Sequence, residues 1–351
     1  MRGNSTTSPL SSLPAFFCLI RYFHASLALI RYPLKRVEVL YNSIFLTIFG
    51  LAVRRLPTSL LILVLFPPAL IKTAIEMFLP KNTAAGYWKL IAGLTSTIPP
   101  VPIFKISWIR LRLNINRLMT YSGGQIRDPK WQARIEYSGF KDLLDQVTSG
   151  RSVLLASVHY GSPREASTII RSQGLRLSAL AYSRLTPLEE KSVKNRDQLW
   201  GLEHVPVILN PDEMWAARDF LREPGNMLLL LIDRQHNPRD MTGTFLGGQI
   251  RVAKGVVKFA EMTNAVVVPV ACTSTGFLRW RLWFGEGMDC DGDANILDSQ
   301  EFLQRILRQL EPEIEKNPEQ MQPELIGSMI KTKNKATKAD KTPKRSLKRE
   351  Q

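Results

Sequence analysis

The sequence predicts an α/β fold, a mixed and mostly parallel sheet flanked by helices, with an apolar helical arm at the N-terminus. Three observations carry that prediction. Between about residues 130 and 272, short runs of Val, Leu and Ala recur between helix-like segments. The runs are continuous rather than alternating, the pattern of strands covered on both faces. Before residue 99 the apolar residues instead gather into two longer blocks.

Residues 1–37 hold no Asp or Glu, while Arg2, Arg21, Arg31, Lys35 and Arg36 are basic and the first dozen residues are rich in Ser and Thr. That composition resembles a targeting segment. The apolar run PAFFCLI is short for a secretory peptide, is broken by Arg21 and lacks a clear A-x-A site; an organellar transit peptide and an uncleaved membrane-surface arm fit better. Residues 1–40 are therefore read as a targeting-like or membrane-surface arm. Residues 41–99 follow as membrane-anchoring helices, with blocks SIFLTIFGLAV (43–53) and LPTSLLILVLFPPALI (56–71) separated by Arg54 and Arg55. Neither block reaches the ~18–20 apolar residues that span a bilayer. Pro67 and Pro68 are expected to break the second helix in its middle. The reading is a shallow anchor, with leucines in the acyl layer and basic residues among lipid phosphates. The alternative is a buried hairpin packed on the domain that follows.

Residues 100–330 are expected to form the principal domain. Its candidate strands are 152–158, 176–183, 227–233 and 265–272, and its helical stretches lie near 139–147, 163–173, 211–222 and 253–263. Sites in such sheets are expected at the C-terminal ends of strands. His159, in LLASVHYGSPRE, and Asp233, in LLLLIDRQ, each sit at one. No internal repeat and no phosphate loop of the form GxxxxGK[ST] occurs. Residues 331–351 hold nine Lys/Arg against Asp340 and Glu350, with Leu347 the single large aliphatic residue. This basic tail is expected to be disordered. It could meet anionic headgroups or nucleic acid, or simply be solvated.

The 351 residues are 44% apolar and 22% charged, ordinary globular usage that excludes a mainly disordered chain or a polytopic membrane protein. The tail, with nine basic against two acidic residues, carries +7 of the formal charge of +16, and no basic motif interleaved with aromatics accompanies it, so no specific nucleic-acid partner is expected. Cys18, Cys272 and Cys290 are odd in number and lack C-x-x-C spacing, which indicates neither a disulfide framework nor a zinc site and fits a reducing compartment. The four histidines lie far apart, and neither a metal nor a cofactor is expected.

One set of blocks carries a family resemblance. GFKDLLDQVTSGRSVLLASVHYGSPREAS, LLLLIDRQ, FLGGQIRVAKGVVKFAEMTNAVVVPV and NPEQM resemble, in order and spacing, the late (lauroyl/myristoyl) acyltransferases of lipid A biosynthesis, within the lysophospholipid acyltransferase superfamily. The resemblance covers roughly residues 100–325. It implies a membrane-associated enzyme that moves a fatty acyl chain from acyl carrier protein or acyl-CoA to a hydroxyl or amine of a lipid or glycolipid acceptor. It also implies the cytoplasmic face of a bacterial inner membrane, an organellar membrane remaining open.

The family signature is H-x4-D/E, usually HFGNWE, whose histidine is the general base and whose acid orients it. A histidine suits that task, because its reference pKa of about 6.5 lets it take a proton from the attacking acceptor, and a thioester is electrophilic enough to need no covalent intermediate. Here the fifth residue after His159 is Arg164, and the carboxylate, Glu165, is the sixth. If the turn after Gly161 is one residue longer, Glu165 still faces the imidazole. Alternatively S-P-R-E is a capping box, and Glu165 bonds the Ser162 N–H. In that case the chain reads as an impaired homologue that binds lipid as a membrane scaffold. By the same resemblance Arg196, in NRDQLWG, binds the acceptor phosphate or stabilises the oxyanion. Asp233 and Gln235 are substrate contacts, although Asp233 could equally cap the next turn, and Arg251 or Lys254 meets a phosphate or phosphopantetheine at a helix start. His204 and His236 match no family role, Leu246 replaces a family Phe, and the segment between Arg184 and Gly201 departs enough to leave the acceptor open.

Overall fold

The computed structural model describes residues 58–78, 81–122, 129–180, 214–233, 240–290 and 299–329. The N-terminal arm to residue 57, Arg196, His204, Gln235, His236 and the basic tail lie outside the described residues.

Among the described residues three helices come first: α1 (Thr58–Phe78), α2 (Lys81–Ala92) and α3 (Ile103–Ser122). Helix α1 runs unbroken through Pro67 and Pro68, contrary to the expected break. Each proline removes one donor from the ladder, a cost of roughly 3 kcal/mol in a helix interior, and packing against α3 outweighs it. Leu65, Ala69, Thr73 and Met77 recur every fourth residue and are buried. The contact is locked by polar groups, since Asn114 Nδ2 donates to Thr73 Oγ1 at 3.1 Å and Arg110 Nη2 pairs with Glu76 Oε2 at 3.2 Å. The opposite face of α1 is apolar too, yet Leu63, Ile71 and Phe78 are 68%, 57% and 58% exposed.

After the short α4 (Pro129–Gln132), β1 (Ile135–Ser138) leads into α5 (Phe140–Thr148), β2 (Val153–Ser157), α6 (Pro163–Ser172) and β3 (Leu177–Ala179). Then come α7 (Met214–Arg222), β4 (Met227–Leu231), the hairpin β5 (Met241–Phe245) and β6 (Gly248–Val252), and α8 (Gly255–Thr263). Strands β7 (Val266–Gly276) and β8 (Arg279–Phe284), helix α9 (Ser299–Glu315), a 3₁₀ turn (Pro318–Gln320) and a helical segment at 323–329 complete the order.

Among the described residues six strands make one sheet in the order β1-β8-β7-β2-β4-β3. Every neighbouring pair is parallel except β7 with β8, so the sheet is mixed and mostly parallel, as expected. Its centre is fully apolar: Val153 to Ala156 of β2 and Met227 to Leu229 of β4 are buried, which is why these runs do not alternate. The expected strands and helices coincide with β2, β3, β4, β7, α5, α6, α7 and α8 to within a few residues. Strands β1 and β8, the β5–β6 hairpin and α9 come in addition. The hairpin turns on Leu246 and Gly247 at φ +51° and +69°, the left-handed pair of a two-residue turn. Leu246 is held there by full burial and by its N–H donating to Glu311 Oε1 of α9 at 2.6 Å.

Candidate active site

Strands β2 and β4 are parallel neighbours with Ser157 opposite Leu231. Two residues beyond each register partner stand His159 and Asp233, at the same height on adjacent chains. Ile232 N–H donates to Ser157 C=O at 2.8 Å, which carries the alignment past the formal strand ends. The side chains meet there, with His159 Nδ1 lying 2.7 Å from Asp233 Oδ1. The second carboxylate oxygen, Oδ2, accepts the His159 backbone N–H at 3.0 Å. Asp233 is fully buried and His159 is 7% exposed. Because a carboxylate accepts, the arrangement favours the tautomer with the proton on Nδ1 and leaves Nε2 as the acceptor.

Glu165 is not the partner of the imidazole. It is buried in the first turn of α6 and makes no hydrogen bond to His159 among the described residues. Nor does it close a capping box, because Ser162 N–H donates instead to Cys272 C=O at 2.8 Å and the helix has no side-chain cap bond. The reason lies in the sheet order. Strand β2 has β4 on one side and β7 on the other. The imidazole turns to β4, while the chain after it is tied to β7. Gly161 makes that departure at φ +57°, where a Cβ would stand 2.1 Å from Cys272 C=O. Glu165 therefore faces β7, and its charge adds to burial in pushing the Cys272 thiol well above the ordinary range. Arg164 points outward and is exposed.

Of the other expected site residues, Arg251 is half-buried near the end of β6 and Lys254 is exposed at the start of α8. The structure brings this junction to the pair: Ala253 N–H donates to Ile232 C=O at 2.9 Å, so Lys254 follows a residue bonded next to Asp233. Among the described residues no three His, Cys, Asp or Glu side chains gather as a metal site.

A family model described as bacterial lipid A biosynthesis acyltransferase matches residues 114–322. The chain belongs to that family. No curated protein matches it. Membership in the lipid A acyltransferases implies an acyltransferase that uses an acyl donor and a lipid acceptor. The family match spans β1 to β8 and α9 and includes both members of the His159–Asp233 pair. The signal in the sequence that could have identified the pair was the equal offset of the two residues from two apolar runs; local spacing around His159 pointed to Glu165 instead.

Proposed function

We propose that this lipid A family acyltransferase moves a fatty acyl chain from an acyl thioester, carried by acyl carrier protein or CoA, to a hydroxyl or amine of a lipid or glycolipid acceptor, with His159 as general base and Asp233 as its orienting acid. The observation that supports this most is the 2.7 Å contact between His159 Nδ1 and Asp233 Oδ1. As the acceptor oxygen or nitrogen attacks the thioester carbonyl, Nε2 takes its proton, and the imidazolium is stabilised by the buried carboxylate. The C–S bond then breaks, and the thiolate leaves with the proton returned from His159. The acyl group ends on the acceptor and no acyl-enzyme forms. Lys254 and Arg251, and Arg196 by family resemblance, are the cations we assign to phosphate groups of donor and acceptor.

We propose a membrane surface, on the cytoplasmic face of a bacterial inner membrane, as the place of the reaction. The exposed apolar face of α1, with Trp88 and Phe104 exposed on α2 and α3, supports surface association. Among the described residues no single helix is long and apolar enough to cross a bilayer, although residues 62–78 and 83–92 qualify together as a pair bent by 78°.

The test is transfer of labelled acyl groups from a panel of thioesters to a total lipid extract by the full-length wild type, His159→Ala, Asp233→Asn and Glu165→Gln. Transfer is expected to vanish in His159→Ala. It should fall by roughly 10²–10⁴ in Asp233→Asn, where the amide stabilises the wrong tautomer, and survive largely in Glu165→Gln. Full activity in Asp233→Asn with loss in Glu165→Gln would return the acid role to Glu165. No transfer by wild type across the panel, with lipid binding retained, would favour a lipid-binding scaffold.

A further inference from the structure

The segment after α9 touches both members of the pair. Gln322 N–H donates to His159 C=O at 2.9 Å, and its side-chain amide donates to Gly161 C=O at 3.0 Å. Gly161 N–H in turn donates to Gln320 C=O at 3.0 Å. On the acid side, the Ser328 hydroxyl donates to Asp233 C=O at 2.7 Å, a shorter contact than its alternative acceptor within the helix, Glu324 C=O at 3.1 Å. The segment is itself fastened to the sheet: Gln320, fully buried, accepts Ser274 N–H on Oε1 and donates to Ser274 C=O from Nε2, both at 2.9 Å. One short stretch therefore bonds the backbone of the base, the backbone of the acid and a neighbouring strand, just where β2 and β4 run out of ladder partners.

We propose that residues 318–328 form a positioning clamp for the His159–Asp233 pair, with Gln322 holding the base and Ser328 holding the acid. This rests on the acyl-transfer reading above, and it assigns Ser328 a task at a distance from the reacting atoms. A short contact between two loop-borne side chains requires both backbones fixed to a fraction of an ångström. Ser328 fixes one of them by a single hydroxyl, which makes it the cleanest place to test the clamp. Alanine is a good helix former, so Ser328→Ala keeps the 323–329 segment helical.

Two measurements on the full chain in detergent micelles test the proposal: kcat and KM for acyl transfer, and the downfield NMR resonance of the His159 Nδ1–H, assigned by its loss in His159→Ala. Ser328→Ala is expected to lower kcat by about fivefold, the effect of one net hydrogen bond, with KM unchanged and the resonance broadened or shifted. Ser328→Thr, which keeps the hydroxyl, should restore both. An unchanged kcat and resonance in Ser328→Ala, a change in KM alone, or failure of Ser328→Thr to restore would overturn the clamp. If wild type transfers no acyl group yet Ser328→Ala perturbs the resonance and Ser328→Thr restores it, the clamp stands and the acyl-transfer reading fails.

Discussion

At the scale of single residues, the loop after β2 depends on one glycine. Gly161 occupies the left-handed region and lies against the Cys272 carbonyl. Any side chain there meets both a conformational and a steric barrier, and the loop must move off β7. Because the next N–H, that of Ser162, is what ties the loop to β7, the shift would reach His159 two residues earlier. Gly161→Ala is expected to cost about 2–3 kcal/mol of stability and to lower acyl transfer at least tenfold, read by thermal unfolding and by the label assay. Wild-type stability and rate in this variant would mean that the loop is not held as described. Cys272 makes a second expectation at this scale. Its thiol is fully buried and held protonated by burial and by the Glu165 charge. It should resist alkylation by iodoacetamide in the native protein and react only after unfolding; rapid native labelling of Cys272 would contradict the packing of α6 on β7.

At the scale of elements, α1 shows how one helix presents two apolar faces with different destinations. The stripe Leu65, Ala69, Thr73, Met77 is covered by α3, whereas Leu63, Ile71 and Phe78 remain more than half exposed. A fully buried Leu, Ile or Phe side chain is worth about 1.5–3 kcal/mol in an apolar phase, so under the proposed membrane association even partial insertion of these three would dominate attachment through this face. Substituting all three by Ser should reduce partitioning into phospholipid vesicles by at least tenfold while leaving the helical circular dichroism unchanged. Unaltered partitioning would move the membrane contact to other parts of the chain. The elements also show what the sequence carries in the open. Strands β2, β4 and β7 were legible because burial on both faces makes them continuous Val/Leu runs. Strand β8, RWRLWF, was not: its buried Trp280, Leu282 and Phe284 alternate with more exposed Arg and Trp residues, at the side of the sheet next to the short strand β1. The prolines of α1 misled for a different reason, since local propensity argues against the helix that tertiary packing against α3 sustains.

At the scale of the whole molecule, the site is assembled from contacts that no local pattern contains. His159 and Asp233 are 74 residues apart in sequence, and Gln320 reaches Ser274 across 46. The sequence reveals which residues end strands, but strand order decides which ends are neighbours, and order is a property of the complete sheet. Tyr160 stands at the same junction. Its hydroxyl donates to Glu313 C=O of α9 at 3.1 Å and accepts from Thr273 Oγ1 of β7 at 3.4 Å. Burial pushes its phenol pKa upward, and burial also raises that of Tyr137 to about 12. A phenol whose pKa is raised by folding contributes stability that is complete below its unfolded value near 10 and is lost as pH rises towards the folded value. The protein should therefore lose thermal stability progressively from about pH 10 upward, because these phenols ionise in the unfolded chain while burial keeps them protonated in the folded one. Tyr160→Phe tests this at fixed shape: it gives up one hydrogen bond at neutral pH, about 1 kcal/mol, and removes the titration. Its melting temperature should start slightly lower than wild type and decline less steeply between about pH 10 and 12. An alkaline slope identical to wild type would show that Tyr160 ionises without strain, and that the contact among loop, sheet and α9 is looser than the 3.1 Å bond implies.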